Sequence, residues 1–318
     1  MVQQRRCAHC DFAVTGILPE YCCIRCSREK GQHGPACKRQ LLPKVEQLAA
    51  HEACVEEHAA DVAMPAADEG PLRVEQLRSF IEDGMIVLKG FMPAPMVEAA
   101  RRTIDKVISE DGGPARSERT DEIMALLYKS PLWPAAQQLL GHGQVQKYNR
   151  GAGGAGGQVA LRAGGEKKPM ANVNGSWWHI DGLHKDQPSP FSLLAGVALS
   201  DQPSANCGNL VAFPGSHWLL NEHCRSTPKP RNGQPPLTGG QPLTLSAGDC
   251  VFLHQKVAHQ VMPNCSANTR YQVYFRLLHP EHEARVQAGT ILDDLWADYA
   301  GLRGNAECSG FLQRDAER

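Results

Sequence analysis

Two stretches constrain this 318-residue chain more than anything else in it: SWWHID at 176–181 and GDCVFLHQKVAHQV at 248–261. In an extended strand, residues two apart point to the same face. The His179 imidazole and the Asp181 carboxylate therefore project side by side. The second stretch offers His259, and Arg270 follows eleven residues later. Two histidines and one carboxylate on adjoining strands can cap one face of an octahedral metal ion and leave the other positions open. A lone H-x-D arises by chance in a chain with 13 histidines, so order and context carry the weight. After H-x-D come an apolar strand FSLLAGVALSD (191–201), CGNLVAFPGSHW (207–218), a Gly-Asp turn, the short apolar run VFLH, the distal histidine, and an arginine on RYQVYFRL.

With these residues in place, the chain from 72 to about 280 resembles the phytanoyl-CoA dioxygenase family of Fe(II)/2-oxoglutarate oxygenases. EQLRSFIEDGMIVLKGFM, WWHID, GNLVAFPGSH and GDCVFLHQKVAHQVMPNCSANTRYQVYF carry the resemblance, specific in combination and order rather than singly. It implies a mainly β fold with flanking helices, a double-stranded β-helix (jelly roll) behind an N-terminal helical support layer. It also implies that His179, Asp181 and His259 are ligands of Fe(II), the facial triad of such enzymes. His254 is the rival for the distal place, but the family coordinates through the second histidine. Arg270 would take the distal carboxylate of 2-oxoglutarate, because a guanidinium fork matches a carboxylate bidentately. Arg276, on the same strand face, is the fallback. Lys147, on the presumed first core strand, would add a second positive contact. The implied reaction uses O2 and 2-oxoglutarate, releases succinate and CO2, and hydroxylates a C–H bond of a small-molecule or lipid-like substrate. Relatives that halogenate lack the carboxylate, so Asp181 favours hydroxylation.

Composition narrows the alternatives. Lys+Arg total 33 against 34 Asp+Glu, which argues against a generally basic nucleic-acid binder. No apolar run approaches the ~20 residues of a membrane span. The start, MVQQRRCAHC, lacks the apolar core of a secretory signal, so a cytoplasmic protein is expected. Of 12 cysteines, six fall between Cys7 and Cys37. Without an export signal, clustered cysteines hold metal more often than disulfides. Cys7-x2-Cys10 and Cys23-x2-Cys26 form the simplest zinc ligand set, with Cys22, His33 and Cys37 as substitutes or part of a second site. Three parts follow: a cysteine-rich zinc-binding module (1–38), a helical linker (39–71) and the oxygenase-like domain (72–318). The first would offer a surface for contact with a protein or a nucleic acid. Two other classes of protein share these features. One is an inactive oxygenase-like protein serving as a zinc-dependent interaction module, and the other a cupin-type metalloenzyme that does not use 2-oxoglutarate.

Along the domain, RVEQLRSFIEDG reads as an amphipathic helix capped at Gly84 and MIVLKGF as a short buried strand. APMVEAARRTIDKVISEDGG, EIMALLYKS and LWPAAQQLLG read as helices, and QVQKYNR (144–150) as the first core strand. The glycine-rich 150–169 lacks the setting of a phosphate loop and reads as a lid over the site mouth, offering Arg162, Lys167 and Lys168 to an anionic substrate. Short strands run from 173 to about 278, and 291–302 reads as a final amphipathic helix. Trp177 and Trp178 point to opposite sides, Asn209 could lend an amide near the site, His217 reads as structural, and His184 reads as facing substrate or solvent.

Overall fold

The computed structural model describes residues 70–110, 113–147, 157–183, 189–227, 229–230 and 232–314. The cysteine set Cys7, Cys10, Cys23 and Cys26, nearly all of the linker, and His184 lie outside them. Helix α1 (Val74–Asp83) leads to β1 (Met85–Leu88), α2 (Ala94–Ser109), α3 (Asp121–Tyr128), α4 (Leu132–Leu140), β2 (Gln146–Lys147), β3 (Gln158–Arg162) and β4 (Leu193–Ala198). Then come β5 (Leu210–Ala212), α5 (Ser216–Ser226), β6 (Gln241–Pro242), β7 (Cys250–His254), β8 (His259–Val261) and β9 (Arg270–Leu278). The chain closes with α6 (His282–Ala288), α7 (Ala300–Gly304) and α8 (Ala306–Arg314).

Two antiparallel sheets form. The larger runs β1-β7-β4-β9, with β2 and β3 both on the far edge of β9, and the smaller runs β6-β5-β8. Alternation along the large sheet explains the layering. On β7, Cys250 and Phe252 join the helices α1–α4 in one core cluster, whereas Val251 and Leu253 join Leu210 and Ala212 of the smaller sheet and Leu243 just after β6. On β9, Val273, Phe275 and Leu277 face the helical layer. Arg270, Gln272, Tyr274 and Arg276 share the opposite parity, facing into the sandwich. A third cluster, built on Trp178, Ile180, Phe213 and Leu220, seals α5 against the outer side of the smaller sheet. The mainly β fold with a helical support layer is the one expected.

Local chemistry sets the corners. Gly84 caps α1 in the left-handed region (φ 70°), its N–H bonded to Phe80 O at 2.9 Å. A side chain there would collide with His217 and Val257, so glycine serves both turn and packing. Buried Asp249, of the Gly-Asp turn, accepts from the N–H groups of Gly90 and Ser246 and from Lys89 Nζ, each at 2.8 Å. These bonds outweigh burial and hold its carboxyl below the usual range.

Three expectations need correction. The expected lid over 150–169 contains strand β3, in register with Arg270–Tyr274 of β9, because Val159 and Leu161 alternate onto the helical core. Strand structure does not begin at 173; between β3 and β4 the described residues pair only as isolated bridges. The closing helix over 291–302 is broken. A 3-10 turn covers Thr290–Leu292, Asp294 Oδ1 caps Trp296 N at 3.0 Å, and the chain turns so that Trp296 and Tyr299 enter the core. Helix resumes at Ala300 and again at Ala306.

Candidate metal centre

His179 lies on no regular strand. It forms an isolated antiparallel bridge with His259, with N–H to carbonyl bonds of 2.9 and 2.8 Å running both ways. The bridge sets the two imidazoles 4.4 Å apart, centroid to centroid. Two residues on, where Gly182 (φ 83°) turns the chain away, Asp181 brings its carboxylate in. One ligand atom from each of His179, Asp181 and His259 lies within 4.8 Å of the others. The alternation is visible in burial: Trp178 and Ile180 are in the core, while Trp177, His179 and Asp181 face the other way. Trp177 is 86% exposed, the most open large apolar side chain among the described residues.

The tautomer at His259 is set. Its Nδ1 is 2.9 Å from Val257 O, where it donates, and Nε2 is left as the free lone pair for a metal. Asp181 uses Oδ1 toward the histidines, 3.9 Å from His179 Nε2. Its Oδ2 accepts from Arg276 Nε at 3.1 Å and Nη2 at 2.9 Å. Burial pushes the Asp181 carboxyl up, but the positive charge around it, with the Arg276 guanidinium in direct contact, holds it below the usual carboxylate range.

Arg270 is buried on the inner face of β9. Its Nη1 donates to Gln272 Oε1 at 3.1 Å, and its Nε has no partner. Gly208 (φ 73°) makes room for it, since a Cβ there would sit 3.2 Å from Arg270 Cβ. A buried guanidinium with an idle N–H is costly unless an anion completes it. Two imidazoles and a carboxylate with open positions suit Fe(II), and the unfilled fork of Arg270 suits a dicarboxylate. The residues present fit both groups.

The other expected residues separate cleanly. His254 is in the core, Nε2 to Leu295 O at 3.1 Å and its ring stacked on Tyr299, so it cannot replace His259. Arg276 is engaged with Asp181 and not free for a cosubstrate carboxylate. Lys147 pairs through its backbone with Leu277, while its side chain lies outside what is described. Asn209 is a buried clamp, accepting from Cys207 N at 2.9 Å and donating to Leu243 O at 3.0 Å. His217 is structural, as read, with Nε2 against Ile81 O at 3.1 Å. Arg162 pairs with Glu166, and Lys167 and Lys168 are exposed. Sequence reasoning missed the Arg276–Asp181 contact. Its only signal in the sequence is the shared parity of residues 270 and 276.

The jelly roll thus carries, between its sheets, a His–Asp–His cluster with the donor set and spacing to hold a metal ion. The family model for phytanoyl-CoA dioxygenase (PhyH) matches residues 164–271, a span that takes in all three cluster residues and Arg270. The resemblance read from the sequence is borne out over that span. No curated protein is significantly similar in sequence. Among solved structures, a non-heme alpha ketoglutarate dependent carbocyclase, SnoK from nogalamycin biosynthesis, aligns at 18% identity and TM-score 0.48 over 68% of this chain and 86% of its own. The epimerase SnoN, in complex with Fe3+, alpha ketoglutarate and nogalamycin RO, aligns at 19% and 0.47 over 64% and 82%. HygX from Streptomyces hygroscopicus, with nickel and 2-oxoglutarate bound, aligns at 16% and 0.45 over 66% and 88%. All three fall below 25% identity and a TM-score of 0.5, so the site rests on this chain's own geometry.

Proposed function

We propose that this chain is an Fe(II)- and 2-oxoglutarate-dependent dioxygenase that hydroxylates a C–H bond of a small-molecule or lipid-like substrate, releasing succinate and CO2. The observation that carries the reading is the meeting of His179, Asp181 and His259 within 4.8 Å, on the sandwich face that also buries Arg270. The three side chains would hold the metal. Bound there with 2-oxoglutarate, the iron supplies O2 activation and the oxidising power that a protein side chain lacks. The protein's own part is geometry. The backbone bridge fixes the histidines, the Val257 carbonyl fixes the His259 tautomer, and Arg270 orients the dicarboxylate through its far end. The aliphatic inner faces of β4 and β7 keep water from the deep side. Trp177, at the open edge on the ligand face, is placed to meet substrate.

The test is anaerobic addition of Fe(II) and 2-oxoglutarate, watching for a visible charge-transfer band in wild type and in His179→Ala. A band in wild type that the variant lacks is expected, and its absence from wild type would overturn the reading. Succinate release across a metabolite panel then identifies the substrate. A second ion, zinc on Cys7, Cys10, Cys23 and Cys26, belongs to the same reading. Metal content of the full chain should fall by one zinc in Cys7→Ser/Cys10→Ser.

A further inference from the structure

One pairing at the site joins Asp181, a member of the metal-binding cluster, to Arg276, which is not. Arg276 approaches Asp181 with two of its nitrogens, Nε at 3.1 Å and Nη2 at 2.9 Å, and both end on one oxygen, Oδ2. The guanidinium is itself anchored. Its Nη1 donates to Gln158 Oε1 at 2.6 Å, and its carbon lies 5.5 Å from the centre of the buried Phe191 ring. Gln158 stands on β3 opposite Tyr274 of β9, so the anchor belongs to the sheet and not to the loop that carries Asp181. Both partners are largely shielded, at 17% and 19% side-chain exposure, where a charge-assisted pair is screened little. The other oxygen, Oδ1, faces His179.

From this geometry we infer that Arg276 is a positioning residue for Asp181, occupying Oδ2 so that the carboxylate presents Oδ1 alone to the metal. This rests on the metal-centre reading above and deepens it. A carboxylate free to swing could chelate through both oxygens and take up a position needed for 2-oxoglutarate or O2. Tied to a guanidinium through Oδ2, it is a one-oxygen ligand with a fixed direction. Because Phe191 and Gln158 hold Arg276 independently of Asp181, removing the carboxylate leaves a cationic notch shaped for a small carboxylate. Lysine cannot reproduce the fork, since an ammonium is a point charge without planar paired donors.

The experiment uses Mn(II), a redox-quiet stand-in for Fe(II), with affinity measured by calorimetry or by loss of the free-ion EPR signal on the full chain. Arg276→Gln is expected to weaken Mn(II) binding by about ten- to a hundredfold, the range for partners of a metal ligand, and Arg276→Lys to recover only part of it. Asp181→Gly should lose binding and regain it in millimolar formate, whereas Asp181→Gly/Arg276→Gln and Asp181→Gly/Arg276→Lys should show little or no rescue. Unchanged affinity in Arg276→Gln, or equal formate rescue with and without the guanidinium, overturns the inference while leaving the metal centre standing. A wild-type chain that binds no Mn(II) overturns both.

Discussion

Two pairs of histidines lie close together in this fold, and they do opposite things. His179 and His259 are 4.4 Å apart between ring centres, and His217 and His254 are 5.5 Å apart. The first pair has Asp181 beside it, and the His179 side chain is 53% exposed. The second is walled in by Trp218, Trp296 and Tyr299, and each ring spends its Nε2 on a backbone carbonyl. Burial pushes both core histidines down, His217 to about 3, so they stay neutral and act as polar aromatic filler. Nearness of imidazoles therefore does not tell the pairs apart; a neighbouring carboxylate and an edge open to water do.

The sharpest break between the pairs comes from truncating one member of each. His254→Ala removes a buried ring stacked on Tyr299 and should cost about 3 kcal/mol of folding stability, near the low end for a buried aromatic. The metal affinity of the molecules that stay folded should be unchanged. His259→Ala should do the reverse. It should lose metal by more than about a hundredfold, beyond what partners of a ligand cost, while the melting curve of the metal-free protein moves little. Denaturant titration and Mn(II) calorimetry on both variants decide it, and metal loss in His254→Ala at full folding would refute the assignment.

The same logic extends to the arginines of β9. Arg270 has an idle Nε among buried neighbours, whereas Arg276 is already paired. Arg270→Leu should weaken 2-oxoglutarate binding by about 2–3 kcal/mol, the worth of hydrogen bonds to a charged group. Mn(II) binding without cosubstrate should be nearly unaffected. If 2-oxoglutarate affinity survived this change, the anion would have to be held elsewhere.

Much of this was legible in the sequence, and the failures have physical causes. Alternation in WWHID put the two tryptophans on opposite sides and His179 beside Asp181, because a two-residue period needs no tertiary knowledge. Choosing His259 over His254 leaned on resemblance. Five residues apart, both are apolar-strand neighbours, and only the Val257 turn between β7 and β8 sends them to different layers. The Arg276–Asp181 pair joins residues 95 apart in sequence, and no local period encodes such a contact. Strand β3 was hidden by its glycine-rich surroundings, and the C-terminal helix was misread because the Asp294 cap competes locally with helix.

The smallest effect is the one that isolates the core pair, and its sign follows from the direction of the shift. An unfolded chain leaves His217 at an ordinary histidine pKa near 6.5, whereas the native protein holds it at about 3. Below 6.5 the unfolded state takes up a proton that the native state refuses. Stability contributed by this residue is thus complete above 6.5 and drains away as the pH falls, down toward 3. Between pH 6.5 and 5.5 the loss is about 1 kcal/mol for one such histidine. His217→Gln, whose amide can still reach the Ile81 carbonyl, should flatten the acid limb of the stability curve by that amount. Denaturant midpoints at pH 7.5, 6.5 and 5.5 for wild type and variant give the double difference, in which titrating groups other than His217 and its neighbour His254 cancel, His279 and Asp298 among them. Identical slopes would mean that His217 carries its proton in the native core, and the two histidine pairs would then be less different than their surroundings make them.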